Sequence, residues 1–303
     1  MKAIIPVAGA GTKLRPHTIK DFVLVVGYLG NKIQDYAMAH YPHLNITIIQ
    51  QHERKGLGHA VYLCKEAVGN DEVVIVLGDT ICEYNATEFL ATEGSVLGVK
   101  KVDDPRDFGV AETDESGNVS RVIEKPQIPR TNNALVGIYK IKDSSMLFDC
   151  LSKIMSHAAQ EQEEHGLTPA LECMINGGTH FTTFKVSNWF DCGKKETLLD
   201  GNATLLKKWG GDVVAEHSFE NTIIIPPVSI APGCEIKNAI IGPNVSIGEK
   251  TLIQYSIVKD SIVGAYSKLY DVVLHDSLIG SDTEIKGETR TLNIGDNTEI
   301  DLG

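Results

Sequence analysis

The chain has 303 residues, of which 42% are hydrophobic and 22% charged, a composition that suits a well-cored soluble protein of one large domain or two ordinary ones. A formal net charge of −12 argues against nucleic acid as a partner, because phosphate backbones are held by clustered cations. No apolar run approaches the ~20 residues needed to span a bilayer, so no membrane partner is expected.

The N-terminus "MKAIIPVAGAG" is too short in its apolar part for a secretory signal and reads as a buried first strand. The six cysteines, Cys64, Cys82, Cys150, Cys173, Cys192 and Cys234, show no metal spacing. They read as single core thiols of a reducing cytoplasm. After the first strand comes "GAGTKLRP". Its glycines let backbone N–H groups approach an anion, and Lys13 and Arg15 add positive charge. It fits neither the P-loop nor the dinucleotide glycine pattern, and alone it is equally a plain turn.

The next strand, "FVLVVG", follows almost at once. A crossover between parallel strands needs a dozen or more residues, usually with a helix. From Thr12 to Asp21 there is no apolar stripe, and Pro16 interrupts the stretch. Either the second strand is antiparallel to the first, or a mobile segment is missing from the numbered chain between about Arg15 and Phe22. We expect the missing segment.

"ITIIQ" and "EVVIVLGD" are further apolar runs of the kind buried on both faces of a parallel sheet, with the helix "LGHAVYLCKEAVG" between them. This β-α-β succession predicts an α/β class with a mostly parallel sheet. Gln51 offers an amide that both donates and accepts, and Gly56 permits close approach; His59 reads as structural. Asp79 stands at the carboxyl end of a strand, where such sheets place ligands, and could hold Mg²⁺ or merely cap its own turn. Glu124 and Lys125 of "VIEKPQIP" could meet ligand hydroxyls and phosphate, although an exposed Glu-Lys pair is usually only solvated surface. "DSSMLFDCLSKIM", N-capped by Asp143, and "KETLLDGNATLLKKW" read as helices. Between them "NWFDCG" supplies Asp191 as a second carboxylate, beside a packing Trp189.

After about Gly211 the texture changes to "IAPGCEI", "IGPNVSI", "IGEKTLI", "VGAYSKL", "IGSDTEI" and "IGDNTEI". Aliphatic residues recur six apart, at Ile230 and Ile236, Ile241 and Ile247, Ile247 and Ile253, Val263 and Leu269, Ile279 and Ile285, Ile294 and Ile300. A period of six predicts a parallel β-helix of hexapeptide repeats, with glycine at tight corners of positive φ. Open coil edges then call for covering, and a homo-oligomer is expected.

In order, these pieces are the glycine loop, Gln with Gly-Leu-Gly, Gly-Asp-Thr, Phe-Gly-Val, Glu-Lys-Pro, Val-Gly-Ile-Tyr and Trp-Phe-Asp-Cys-Gly. The ordered set resembles the sugar-1-phosphate nucleotidyltransferases over nearly the whole chain. The nearest likeness is to glucose-1-phosphate thymidylyltransferase-like members with a C-terminal left-handed β-helix. The resemblance implies a Rossmann-like nucleotidyltransferase domain over residues 1–210 and a β-helix over 211–303. It implies NTP binding by Gly9, Gly11, Thr12, Lys13 and Arg15, and a base contact by Gln51 and Gly56. It implies Mg²⁺ on Asp79 and Asp191, and a sugar-phosphate site at Gly109, Glu124 and Lys125. Catalysis would fall to Lys13, Arg15, Asp79 and Lys125, with dTTP or UTP and glucose 1-phosphate as the expected substrates.

Two departures stand out. Lys13 replaces the family's usual Arg, exchanging a bidentate fork for a point charge. The family's Pro-Lys segment after the glycine loop, with its catalytic lysine, is absent, and it would fall where the crossover is short. A non-catalytic relative of the same fold is therefore an alternative reading. So is a bifunctional enzyme that transfers acyl groups in the β-helix, with His275 as its candidate base.

Overall fold

The computed structural model describes residues 1–7, 19–28, 30–161, 165–209 and 219–287. It divides into two compact units, Met1–Asp191 and Cys192–Gly303. That division falls ahead of the helix at 195–209, which bonds to the repeat region: the Asn202 amide donates to the Asn244 carbonyl at 3.3 Å and accepts from Ser246 at 2.6 Å.

The first unit runs β1 (Lys2–Val7), β2 (Asp21–Val26), α1 (Gly30–His40), β3 (Asn45–Gln50), α2 (Leu57–Tyr62), α3 (Lys65–Val68), β4 (Val73–Val76), β5 (Thr80–Glu83) and α4 (Ala86–Ala91). It continues with β6 (Ser95–Lys101), β7 (Val110–Thr113), β8 (Val119–Ile123), β9 (Asn133–Ile141), α5 (Ser144–Glu161), α6 (Thr168–Asn176), β10 (Phe181–Lys185) and β11 (Asn188–Asp191). The main sheet has the order β10-β6-β9-β4-β1-β2-β3, with β7 and β8 joined to it through β9. Strands β4, β1, β2 and β3 are parallel, and β9 runs against β4 and β6.

Alternation along β1 builds a core on each face of the sheet. Ile4 packs with Val61, Phe148 and Leu171 on one side, while Ala3 and Ile5 pack with Ala37 and Phe89 on the other. Side chains two apart share a face, so a strand buried on both faces must be apolar throughout. β2 meets that condition and β3 does not: its burial alternates because it is the sheet's edge, contrary to the doubly buried strand expected from "ITIIQ".

β2 lies parallel to β1, Ala3 opposite Phe22 and Val7 opposite Val26, which excludes the antiparallel alternative. Residues 8–20 are all that the chain offers to join the two strands, close to the lower limit for a parallel crossover. Helix α1 was not anticipated, because few of its side chains are apolar and only Gly30 and Ala37 are fully buried. Asp143 caps α5 as expected, its carboxylate accepting from the Met146 N–H at 2.9 Å. The cysteine reading needs correction: Cys150 of α5 and Cys173 of α6 form a disulfide, while Cys64, Cys82, Cys192 and Cys234 remain outside any disulfide. Adjacent helices bring the two sulfurs together, a proximity that their separation of 23 residues does not announce.

Lys140 is 5% exposed on β9, and its ammonium donates to the Leu90 and Thr92 carbonyls at 2.9 and 2.6 Å. It also pairs with Glu72 at 3.3 Å. A cation thereby closes the C-terminus of α4, where carbonyls lack helical partners. Lys140→Met, similar in volume but without donors, should cost about 2 kcal/mol by stranding both carbonyls. Urea unfolding monitored by circular dichroism measures this, and an unchanged midpoint would refute the capping role.

In the second unit, helix α7 (Lys195–Trp209) precedes three stacks of short parallel strands. One stack is Ile223–Ile224, Ile240–Ile241, Ile257–Lys259 and Val273–His275. The others begin at Val228–Ile230 and Glu235–Lys237. This is a β-helix, and Ile230, Ile236, Ile241, Ile247, Ile253, Val263 and Leu269 line its core as expected. Ile279 and Ile285 pack against that core half-buried, and Ile294 and Ile300 lie outside the described residues.

The uniform six-residue period does not hold. Val228 faces Val245, seventeen residues on, and Ile262 faces Leu278, sixteen on. Steps of five, such as Ile253 to Val258 and Val258 to Val263, are mixed with steps of six. The expected role of glycine also changes. Positive φ at the corners falls mainly on other residues, among them Asn244, Tyr255, Asp260 and Asp276, although Gly233 and Gly242 do adopt it. Gly248 and Gly264 are needed for space. A Cβ on Gly248 would lie 2.4 Å from the Ala265 nitrogen, and one on Gly264 equally close to the Ser281 nitrogen.

Candidate active site

Asp79 follows β4 at its carboxyl end, and the chain then turns into β5. β11 pairs antiparallel with β5, so Asp191 stands opposite Thr80, beside Asp79. Residues far apart in sequence thus form a carboxylate pair. Asp79 is exposed, yet partial withdrawal from water raises its carboxyl pKa; its own backbone N–H opposes this and the Asp191 charge adds to it. Trp189 packs edge-on against Phe108, ring centroids 4.7 Å apart, which ties β11 to the segment carrying Gly109.

Gly109, Glu124 and Lys125 are also brought together. A Cβ on Gly109 would sit 3.0 Å from the Glu124 carboxylate and 3.3 Å from the Thr168 hydroxyl, so a side chain there would fill the space above Glu124. Thr168, at the start of α6, donates to Glu124 at 2.6 Å. The Lys125 N–H donates to the Phe108 carbonyl at 3.1 Å, with Lys125 itself at φ +42°, a strained conformation for a side-chain-bearing residue. Beneath lies Tyr139 of β9. Burial raises its phenol pKa, and the charges of Glu124 and then of Cys82 and Asp79 raise it further.

Gln51 and Gly56 form a third group. The Gln51 amide nitrogen lies 3.2 Å from the Gly56 carbonyl and 3.0 Å from His59 Nδ1. Gly56 (φ +101°) and Gly58 press against the 165–166 backbone, the Gly58 N–H donating to the His165 carbonyl at 2.6 Å. One short segment, His165 to Thr168, thus touches both the Gln51 loop and Glu124. Gly9, Gly11, Thr12, Lys13 and Arg15 lie outside the described residues.

Sequence reasoning missed Thr168 and His165, which carry no motif of their own, and noted Tyr139 only as the last residue of Val-Gly-Ile-Tyr. It also set His59 aside as structural, although its place two residues after the Gly-Leu of "GLGHA" put it on the same loop-to-helix turn as Gly56. Among the described residues, no helix is long and apolar enough to cross a membrane.

The chain is 29% identical over 356 positions to the low-salt glycan biosynthesis nucleotidyltransferase Agl11 of Haloferax volcanii, covering 99% of this chain and 94% of that one. It is 27% identical to a glucose-1-phosphate thymidylyltransferase of Streptomyces antibioticus, covering 100% and 99%. It is 31% identical to the bifunctional protein GlmU of Methanocaldococcus jannaschii, covering 94% of this chain and 72% of that protein. The Agl11 alignment spans more positions than this chain has residues, so that relative carries residues opposite gaps here.

Among solved structures, a Bacillus anthracis protein described as a glucose-1-phosphate thymidylyltransferase, crystallised with sucrose, superposes with a TM-score of 0.54 at 26% identity, over 67% of this chain and 94% of that one. A UDP-glucose pyrophosphorylase complexed with UDP-glucose shares the fold, with a TM-score of 0.55 at 20% identity over 68% and 98%. Residues 13–208, which hold the carboxylate pair, the Glu124 group and the Gln51 loop, match the family described as nucleotidyl transferase. With that span of the chain matched, and with relatives aligned along nearly all of it, the protein belongs to the nucleotidyl transferase family.

Proposed function

We propose that the protein is a sugar-1-phosphate nucleotidyltransferase: a phosphate oxygen of a sugar 1-phosphate bonds to the α-phosphorus of an NTP, and the bond to pyrophosphate breaks. The observation that carries this reading is the pairing of β11 on β5 that sets Asp191 beside Asp79, tied by the Trp189–Phe108 contact to the group of Gly109, Glu124 and Lys125. The names of the relatives above support sugar phosphate and dTTP or UTP as the substrate classes.

Two neighbouring carboxylates, one with a raised pKa, make a donor set that suits a hard divalent cation, and Asp79 and Asp191 would hold Mg²⁺. When bound, the ion supplies charge neutralisation for phosphate oxygens. The protein's own part is positioning. Glu124, held by Thr168, accepts from sugar hydroxyls, and the Gly109 backbone lets the ring approach. Lys125 meets the sugar phosphate, Gln51 and Gly56 meet the base, and Gly9, Gly11, Thr12, Lys13 and Arg15 take the triphosphate. Residues 8–20 are also where the missing Pro-Lys segment would be, and that shortening favours the non-catalytic alternative.

Pyrophosphate release across dTTP, UTP, ATP, GTP and CTP against several sugar 1-phosphates separates the two readings. Release with dTTP or UTP and glucose 1-phosphate, dependent on Mg²⁺, is expected. Nucleotide binding without release from any pair would establish the non-catalytic relative instead.

A further inference from the structure

The Gln51 side chain is held by two partners of fixed chemistry. A backbone carbonyl only accepts, so the contact with Gly56 requires the amide NH₂ on that side. The same nitrogen meets His59 Nδ1, and since an amide nitrogen only donates, Nδ1 must be bare and the ring proton must sit on Nε2. Both amide hydrogens are then engaged. The carbonyl Oε1 is left as the polar atom available to a ligand, with no partner among the described residues.

We propose that His59 is a positioning residue that locks Gln51 with its carbonyl toward the nucleobase, so that the site takes a triphosphate whose base carries hydrogen on the ring nitrogen it meets, uracil or thymine, over one whose ring nitrogen is bare, cytosine. The role rests on the reading of Gln51 as the base contact.

Protonation would break the arrangement from either side. An Nδ1–H would point at the amide NH₂, donor against donor. Turning the amide over would set Oε1 against the Gly56 carbonyl, acceptor against acceptor. The surroundings keep the ring neutral: its pKa is lowered first by burial, then by the Lys55 and His165 charges, with Glu53 opposing through its charge and its backbone. His165 lies edge-on at a centroid distance of 6.3 Å. The lock therefore holds at neutral pH and fails as acid charges His59, below the ordinary histidine range. Sequence spacing hides the device, because residues 51 and 59 meet only when the loop closes onto the first turn of α2.

The test compares equilibrium binding of UTP and CTP, pyrimidines of equal size, to the whole protein, its His59→Ala and its His59→Asn variants. Histidine ¹⁵N shifts report the tautomer without nucleotide. Wild type should show His59 protonated on Nε2 and bind UTP about tenfold tighter than CTP, from one well-formed hydrogen bond against one repulsion. His59→Ala should narrow that ratio several-fold. His59→Asn, whose side-chain oxygen can accept near the Nδ1 position without titrating, should restore it. Acidification from neutral pH to below the ordinary histidine range should narrow the ratio in wild type and not in His59→Asn. A proton on Nδ1, or a His59→Ala variant with the wild-type ratio, would overturn the positioning role alone. Failure of wild type to bind any nucleoside triphosphate would overturn the functional reading and this role with it.

Discussion

Asp79→Asn and Asp191→Asn should each lower kcat/KM for pyrophosphate release by about 100-fold or more, because a neutral amide is a poor ligand for a hard cation. A hundredfold loss corresponds to about 2.7 kcal/mol of transition-state stabilisation, within reach of one metal ligand. Stability should move the other way. The two carboxylates repel, as the contribution of Asp191 to the raised Asp79 pKa records, so removing either charge relieves the folded state. Each variant should therefore melt at or above the wild-type temperature in metal-free buffer. Added Mg²⁺ should raise the melting temperature of wild type more than that of either variant, since a ligand stabilises only the state that binds it. Near-native turnover in both variants would remove the pair from the mechanism. A loss of activity accompanied by a lower melting temperature would instead mark the pair as a structural feature.

What could be read from the chain alone follows from how local each cause is. The strands at 22–26 and 73–76 announce themselves because burial on both faces demands an unbroken apolar run. The β-helix announces itself because its core positions return at short intervals. Features that depend on the packing of distant segments stayed hidden. The Cys150–Cys173 disulfide needs α5 beside α6, and the Asp79–Asp191 pair needs β11 folded back on β5. Both aspartates could be singled out by resemblance, but only the antiparallel pairing supplies a physical reason for them to act together. Glu124 is a similar case. In sequence it is one of many exposed acids, and its distinction is the Thr168 hydroxyl and the bare face of Gly109. The coil length was misjudged because steps of six stand out in "IGPNVSI" and "IGEKTLI", whereas the intervening steps of five carry no comparable signature.

The misjudged glycines lead to a test that separates two reasons for using the residue. If Gly248 is there to admit the next coil, Gly248→Ala should be severe even though its backbone conformation suits any residue. The added methyl would lie 2.4 Å from the Ala265 nitrogen and 2.7 Å from its Cα, and backbone atoms cannot swing aside as a flexible side chain can. Overpacking of this kind costs about 3 kcal/mol, a large part of the ~5–15 kcal/mol that holds a domain together. Tyr255 presents the opposite case. It sits at a corner with φ +50° and is 63% exposed, so glycine would relieve its left-handed backbone without opening a cavity. Glycine also gives the unfolded chain more freedom, which offsets that relief, and Tyr255→Gly should stay within about 0.5 kcal/mol of wild type. Thermal and urea unfolding of the two variants decide the matter together. A stable Gly248→Ala, or a Tyr255→Gly that unfolds as readily as Gly248→Ala is expected to, would mean that corner dihedrals rather than coil spacing govern this β-helix.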